Sequence, residues 1–79
     1  MGKTTWNYRV IRQEEDGAST FAIHEVYYEG KKVVTWTESP VAPSGNTRPE
    51  LLSDLQMMGA ALGRPVLVLE ELERRRGKD

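Results

Sequence analysis

His24 is the only histidine in the 79 residues, and Glu25 follows it directly. An imidazole beside a carboxylate is the pair that could move protons near neutral pH. Neighbouring residues of a strand point to opposite faces, however, so these two side chains could not act on the same proton. A zinc site of the H-E-x-x-H type also fails, because it needs a second histidine. We therefore expect a structural role for His24 on a sheet face beside Ala22 and Val26, and a small enzyme that uses His24 is the last alternative.

Three acidic residues, Glu14, Glu15 and Asp16, lie together and could attract a cation. They are too few to supply the six to eight oxygen ligands that calcium takes, so a solvated turn is the expected role. The chain has no cysteine, which excludes disulfides, thiolate chemistry and cysteine-bound zinc. The sequence predicts no cofactor, no metal site and no catalytic residue.

Arg74 to Arg76 and Lys78 could contact phosphate groups. Three glutamates precede them closely, and the whole chain has 11 basic and 12 acidic residues, with a net charge of −1. Nucleic-acid binding depends on basic surface, so this balance does not favour it. We expect residues 70–79 to form a charged, flexible tail.

Three segments have strand character: Trp6 to Gln13, Ser19 to Tyr28 and Lys32 to Glu38. The first alternates apolar and polar residues until Ile11 breaks the pattern, and the other two are rich in aromatic and β-branched residues. Asp16-Gly17 is a tight-turn signal between the first two. The three segments are expected to form an antiparallel meander.

The strongest helix signal lies from Thr47 to Leu62. Thr47 and Glu50 have the T-x-x-E spacing of a capping box, and Gly63 with Pro65 predicts the end of the helix. Four apolar residues at i, i+4, i+7 and i+11 predict one face that lies against the sheet. These are Leu51, Leu55, Met58 and Leu62.

Val66 to Leu69 is a short apolar run, which predicts a fourth strand that returns parallel to the first. A single helix from Val66 through Arg76 is the competing interpretation. The predicted fold class is therefore α+β, as a three-stranded antiparallel meander with one amphipathic helix on one face and a short C-terminal strand. Residues 1–69 would form this single domain. No stretch is long and apolar enough to cross a membrane, so we expect a cytoplasmic, bacterial-type protein.

The predicted order of elements resembles that of the HicB-like antitoxin domains. The matching pieces are the Asp16-Gly17 turn after the first strand, and Gly45-Asn46-Thr47 with Glu50 at the start of the helix that follows the third strand. The resemblance implies a partial ribonuclease H-like β-β-β-α-β fold and an antitoxin-like role. HicB antitoxins usually carry a further C-terminal DNA-binding motif, and ten residues follow Leu69 in this sequence, so autoregulation by DNA binding is not expected. Ribonuclease activity is not expected, because the first strand has no carboxylate to hold a metal.

The runs WNYRV from Trp6, HEVYY from His24 and WTESPVAPSG from Trp36 also resemble a family of small uncharacterised bacterial proteins. That similarity would cover nearly the whole chain. It implies no particular function.

Aromatic residues are concentrated in the three predicted strands, and one helix can cover only one face of their sheet. The uncovered face would then expose apolar and aromatic side chains, which is typical of a protein interface, unless that face is merely amphipathic. The residues expected at this interaction surface are Tyr28, Val26, His24, Tyr27 and Trp36.

The sequence thus predicts a non-catalytic protein-binding or regulatory module with a protein partner. A homodimer that pairs through this face or through the edge strand Lys32 to Glu38 is the simplest form. The alternative is a module that stacks single-stranded nucleic acid on the aromatic face with help from the basic tail.

Overall fold

The computed structural model describes residues 3–76. Within this range the chain forms one four-stranded sheet with an α-helix on each face. The elements are β1 (Thr4–Glu15), β2 (Ala18–Glu29), β3 (Lys32–Trp36), α1 (Arg48–Ala60), a 3₁₀ turn (Ala61–Gly63), β4 (Leu67–Val68) and α2 (Leu69–Arg76). The strand order is β3-β2-β1-β4, with β4 parallel to β1 and the other pairs antiparallel. This confirms the predicted α+β class, the meander, the helix and the short parallel fourth strand.

The β1–β2 hairpin is the largest element of the sheet. Its two strands pair without interruption from Thr4 opposite Glu29 to Glu15 opposite Ala18. Asp16 and Gly17 connect them with φ values of 52° and 79°, which is the pair of left-handed residues that a tight hairpin turn requires. The predicted Asp-Gly turn is confirmed, and the strands extend beyond their predicted ends.

The N-terminus of α1 is capped as its sequence predicts. The Thr47 hydroxyl accepts a hydrogen bond from the Glu50 amide at 3.2 Å, and the Glu50 carboxylate accepts one from the Asn46 amide at 2.8 Å. A capping box would return that second bond to Thr47, so the carboxylate reaches one residue further back. Gly45 fits beside this turn because a Cβ there would lie 2.6 Å from the Leu51 nitrogen.

The side of α1 that contacts the sheet differs from the predicted one. Met58 is 3% exposed, but Leu55 is 52% and Leu62 73% exposed, and Leu51 is exposed as well. The row that meets the sheet instead runs through Asp54, Met58 and the fully buried Ala61. The prediction that all four apolar residues lie against the sheet is therefore wrong. The helix is rotated so that the small Ala61 makes the close contact.

The predicted flexible tail is wrong for residues 70–76, which belong to α2. Leu72 is 5% exposed and packs with Ile11 and Val26 on the second face of the sheet. Glutamates in the first turn of α2 and arginines in its last turn suit the helix dipole, so the mixed charges stabilise a helix here. The competing helix interpretation holds from Leu69 onward. Residues 77–79 lie outside the described range.

Two separate cores result, one on each face of the sheet. The α1 face has a core of Tyr8, Val10, Met58 and Ala61, and the α2 face has a core of Ile11, Val26 and Leu72. Val10 and Ile11 are both buried although they are neighbours. The break in the alternation of β1 therefore marks a strand with a helix on each side.

Candidate functional site

The predicted interaction surface is covered by α2. Val26 is fully buried, His24 is 6% exposed, and Tyr28 and Trp36 are half-buried against the core of the α2 face. Tyr27 lies on the α1 face, where it pairs with Trp6. These five residues therefore do not form one exposed patch, and that prediction is wrong. Its premise of one covering helix fails because the segment assigned to a tail is a second helix.

His24 makes a structural contact inside the sheet. Its Nδ1 donates a hydrogen bond to the Thr37 carbonyl at 2.8 Å, and the Thr37 hydroxyl accepts one from the Glu25 amide at 3.2 Å. The ring therefore joins β2 to the residue that follows β3. A buried ring with this bond is not open to a substrate.

Arg9 organises the polar part of the α2 face. One of its guanidinium nitrogens donates to the Tyr28 hydroxyl at 2.9 Å and the other donates to the Pro65 carbonyl at 2.7 Å. The same tyrosine hydroxyl donates to the Asn7 side-chain oxygen at 2.8 Å. This network attaches the segment before β4 to the sheet and uses the polar end of Tyr28.

The basic end of α2 lies over an aromatic ring. The Arg76 guanidinium is 4.5 Å from the centroid of Trp36, within cation–π distance. Lys32 and Arg75 line a small cleft beside the same ring, with a volume of about 60 Å³. That volume holds a few water molecules but not a nucleobase.

The exposed apolar surface of the described residues lies mainly on α1. We call Leu51, Leu55 and Met58 of α1, together with Leu62 of the following 3₁₀ turn, the leucine stripe. Three of these four residues are exposed, and Met58 is buried. Leu52, next to the stripe, is exposed too. A helix normally turns such residues toward the core of the protein, but this side of α1 has no packing partner among residues 3–76.

An apolar groove of about 620 Å³ lies between the leucine stripe and the sheet. We call it the α1 groove. Phe21 and Ile23 form its floor, Val41 and Pro43 of the loop before α1 form one wall, and Leu55 and Leu62 form the other. No charged residue of the described chain lines it. The Val41 amide donates to the Ile23 carbonyl at 3.0 Å and holds the loop wall beside β2.

A hydrogen-bonded clamp fixes α1 over the sheet next to this groove. The Tyr8 hydroxyl donates to the Asp54 carboxylate at 2.5 Å, and the second carboxylate oxygen accepts from the Ser44 amide at 2.9 Å. The bond to Asp54, together with burial, raises the pKa of Tyr8 to about 12. The bonds from Tyr8 and Ser44 lower the pKa of Asp54. The Tyr8–Asp54 clamp thus joins β1, α1 and the loop before the helix.

Beyond the clamp, the α1 face continues as a polar aromatic edge. The Trp6 and Tyr8 rings meet edge to face at 5.2 Å between centroids. The Tyr27 hydroxyl donates to the Glu25 carboxylate, and this bond raises the pKa of Tyr27. Trp6 is exposed. The strand register places it on the same face of the sheet as the α1 groove.

Sequence reasoning missed the α1 groove because it assigned the leucine stripe to the core. One signal could have located it. Leu52 and Met57 lie outside the stripe, so apolar residues occupy more of the helix circumference than one sheet contact can bury. The loop wall of Val41 and Pro43 has no comparable signal, since its position depends on a tertiary hydrogen bond.

Residues 3–76 contain no group of acidic or histidine side chains that could hold a metal ion. Among the same residues no helix is long and apolar enough to span a membrane. The resemblance to HicB-like antitoxins stays a prediction. The chain matches no protein-family model, and no curated protein or solved structure is detectably similar to it.

Proposed function

We propose that this chain is a small non-catalytic protein-binding module whose docking surface is the α1 groove with the leucine stripe. The observation that carries the proposal is the exposure of Leu55 and Leu62 beside an apolar groove. On the opposite face α2 covers the apolar core, and the cleft of similar volume beside Trp36 is lined mainly by polar groups. Contiguous apolar surface of this kind is typical of protein interfaces.

The groove is held in shape before any partner arrives. The Tyr8–Asp54 clamp holds the helix wall, and the Val41 amide holds the loop wall. A preorganised groove loses little conformational entropy on binding, so more of the apolar contact contributes to affinity. This rigidity supports a docking role for the surface.

The chemistry of the groove favours binding over catalysis. Its lining offers no acid, base or nucleophile among the described residues. His24, the residue on which an enzyme was considered, is buried and bonded on the other side of the sheet. A regulatory, antitoxin-like role remains the one that the resemblance implies.

Photo-crosslinking from single positions in the source cell tests the proposal. A benzophenone amino acid replaces Phe21, which is exposed at the groove, or Thr20, its neighbour on the opposite face of β2. We expect a discrete crosslinked product from position 21 and not from position 20. Leu62 provides a second groove position. Equal products from positions 20 and 21, or no product from either groove position, would contradict the proposed docking surface.

Single-stranded nucleic-acid binding is the second candidate, because Trp36 lies beside Lys32, Arg75 and Arg76. It ranks lower because Arg76 occupies one face of the ring, and because the acidic Glu38 and Glu73 line the larger cleft of about 620 Å³ beside it. Titration of the Trp6→Phe variant with a single-stranded oligonucleotide would quench Trp36 fluorescence, and the affinity would fall with added salt. An unchanged signal at low salt would remove this candidate.

A further inference from the structure

We infer that the occupant of the α1 groove is a second copy of this chain, related by a twofold axis that pairs the two α1 helices antiparallel. This inference rests on the proposed function, because it names the partner for the same surface. Four independent features of the chain support it.

The first feature is the amount of exposed surface. The accessible surface is 6034 Å², whereas a compact monomer of 9.0 kDa is expected to expose about 4,850 Å². The difference of about 1,200 Å² exceeds the roughly 800 Å² that each partner buries in a standard interface. The radius of gyration is 13.7 Å, against about 11.6 Å for a compact domain of this length. The chain thus exposes more surface than a compact monomer of its mass, by an amount that one standard interface could bury.

The second feature is the symmetry of the leucine stripe. Its members are spaced by four, three and four residues, which is the seam spacing of paired helices. This pattern reads the same in both directions, so an antiparallel copy matches it. Leu51 of one chain then lies opposite Leu62 of the other. Leu55 lies over the helix turn that carries Met58, whose own side chain is buried against the sheet, so Leu51, Leu55 and Leu62 supply the exposed side chains of the contact. Self-complementarity is what a twofold interface requires.

The third feature is Gly59, which lies in α1 and lines the groove. A Cβ at this position would meet no atom of the described residues within 4 Å, so packing among them gives no reason for glycine. Glycine weakens a helix, and its use here fits the close approach of a second helix. The neighbouring Ala60 is small and exposed as well.

The fourth feature is the scarcity of charge along the contact, where Asp54 is the one charged residue between Leu51 and Leu62. Residues 55–63 carry no charged side chain, although 29% of the chain is charged. Glu50 and Asp54, the acidic residues of α1, accept hydrogen bonds from the loop before the helix. Two copies therefore bring no like charges together at the stripe, which removes the usual penalty against self-association.

Sedimentation equilibrium from about 1 µM to about 500 µM measures the association directly. We expect the mass to rise from 9.0 kDa toward twice that value. Leu55→Glu places a carboxylate in the stripe and should raise the dissociation constant at least about 30-fold. Gln56→Glu adds the same charge one residue away, outside the stripe, and should leave the dissociation constant within about twofold. Circular dichroism verifies that both variants fold, as the exposure of Leu55 predicts.

The antiparallel register has its own test, because the natural chain is free of cysteine. An oxidised mixture of the Leu51→Cys and Leu62→Cys variants should form the mixed disulfide dimer in excess over either self-crosslinked dimer. A Gln56→Cys variant is the control and should crosslink poorly. Self-crosslinked dimers at the statistical ratio would overturn the proposed pairing.

A wild-type mass of 9.0 kDa at every concentration would overturn the second copy as occupant. If position-dependent crosslinks to another protein accompany that monomeric mass, the groove binds a different partner. If the crosslinks from Phe21 and Leu62 are absent as well, the proposed docking function fails with the dimer. A dimer that Leu55→Glu leaves intact would place the interface elsewhere, for example at the β3 edge.

Discussion

The two faces of the sheet are covered by helices of different length, and the shorter helix covers its face better. α2 has eight residues and buries Leu72 against Ile11 and Val26, whereas α1 has thirteen residues and leaves most of its leucine stripe exposed. How much of a sheet face a helix buries therefore depends more on its connection to the sheet and its rotation than on its length. The incomplete face is the one to which we assign the binding function.

Attachment explains the difference. α2 begins at Leu69, directly after β4, and β4 is paired with β1 through Ile11 and Arg12. Because no residue separates β4 from α2, the helix begins beside the sheet and Leu72 packs onto it. α1 is connected by a loop of eleven residues before it and a 3₁₀ turn after it, so local contacts decide its rotation. The Tyr8–Asp54 clamp and the close contact of Ala61 fix that rotation with the stripe turned outward.

The largest loss of stability is expected at Leu72, and comparing it with Leu55 tests the difference in packing between the two faces. Leu72→Ala removes a side chain that is 5% exposed and should lower the free energy of unfolding by about 3 kcal/mol. Leu55→Ala removes the same atoms from a side chain that is 52% exposed and should cost less than about 1 kcal/mol in dilute protein. Urea denaturation at low concentration measures both. Equal losses would mean that the two faces are equally packed.

Sequence patterns were sufficient for the elements whose signals are local. The Asp16-Gly17 turn, the Thr47 cap and the parallel strand after Pro65 follow from turn, capping and β propensities. The rotation of α1 was not predictable in this way, because 54-58-61 and 51-55-58-62 are both possible contact rows and a tertiary hydrogen bond selects between them. The predicted interaction surface was wrong for a related reason. Local charge patterns in residues 70–76 are compatible with either a tail or a helix, and only the fit of Leu72 into the second core decides.

The second prediction concerns the clamp that keeps the α1 face open. Tyr8→Phe removes the hydroxyl that donates to Asp54 and should cost about 1.5 kcal/mol, as expected for a bond to a charged acceptor. Tyr27→Phe also removes a tyrosine–carboxylate bond from the same face, but its partner Glu25 lies on the same strand. It should therefore cost less. A larger loss for Tyr27→Phe would show that the clamp does not hold the helix.

The same clamp makes stability depend on pH at both ends of the scale. Because the folded pKa of Asp54 lies below its ordinary value of 3.8, stability is present above that value and is lost as the pH falls through the lower folded pKa. Because the folded pKa of Tyr8 is raised from 10.0 to about 12, stability is complete below pH 10 and is lost as the pH rises toward 12. Tyr8→Phe should reduce both dependences. Thermal denaturation across pH measures them, and an unchanged acid limb would contradict the role of Asp54.

The smallest effect on stability is expected at Gly59, where a substitution distinguishes packing within one chain from packing between two copies. Gly59→Ala meets open space and favours the helix, so it should raise the free energy of unfolding by at most about 1 kcal/mol in dilute protein. If a second copy approaches Gly59 closely, the added methyl group weakens association, and the gain shrinks or reverses as the protein concentration rises. Gln56→Ala is the control, because it changes helix propensity outside the stripe and its effect should not depend on concentration. A gain from Gly59→Ala that is the same at every concentration would mean that no helix packs there, and the glycine would then be only a weak point in α1.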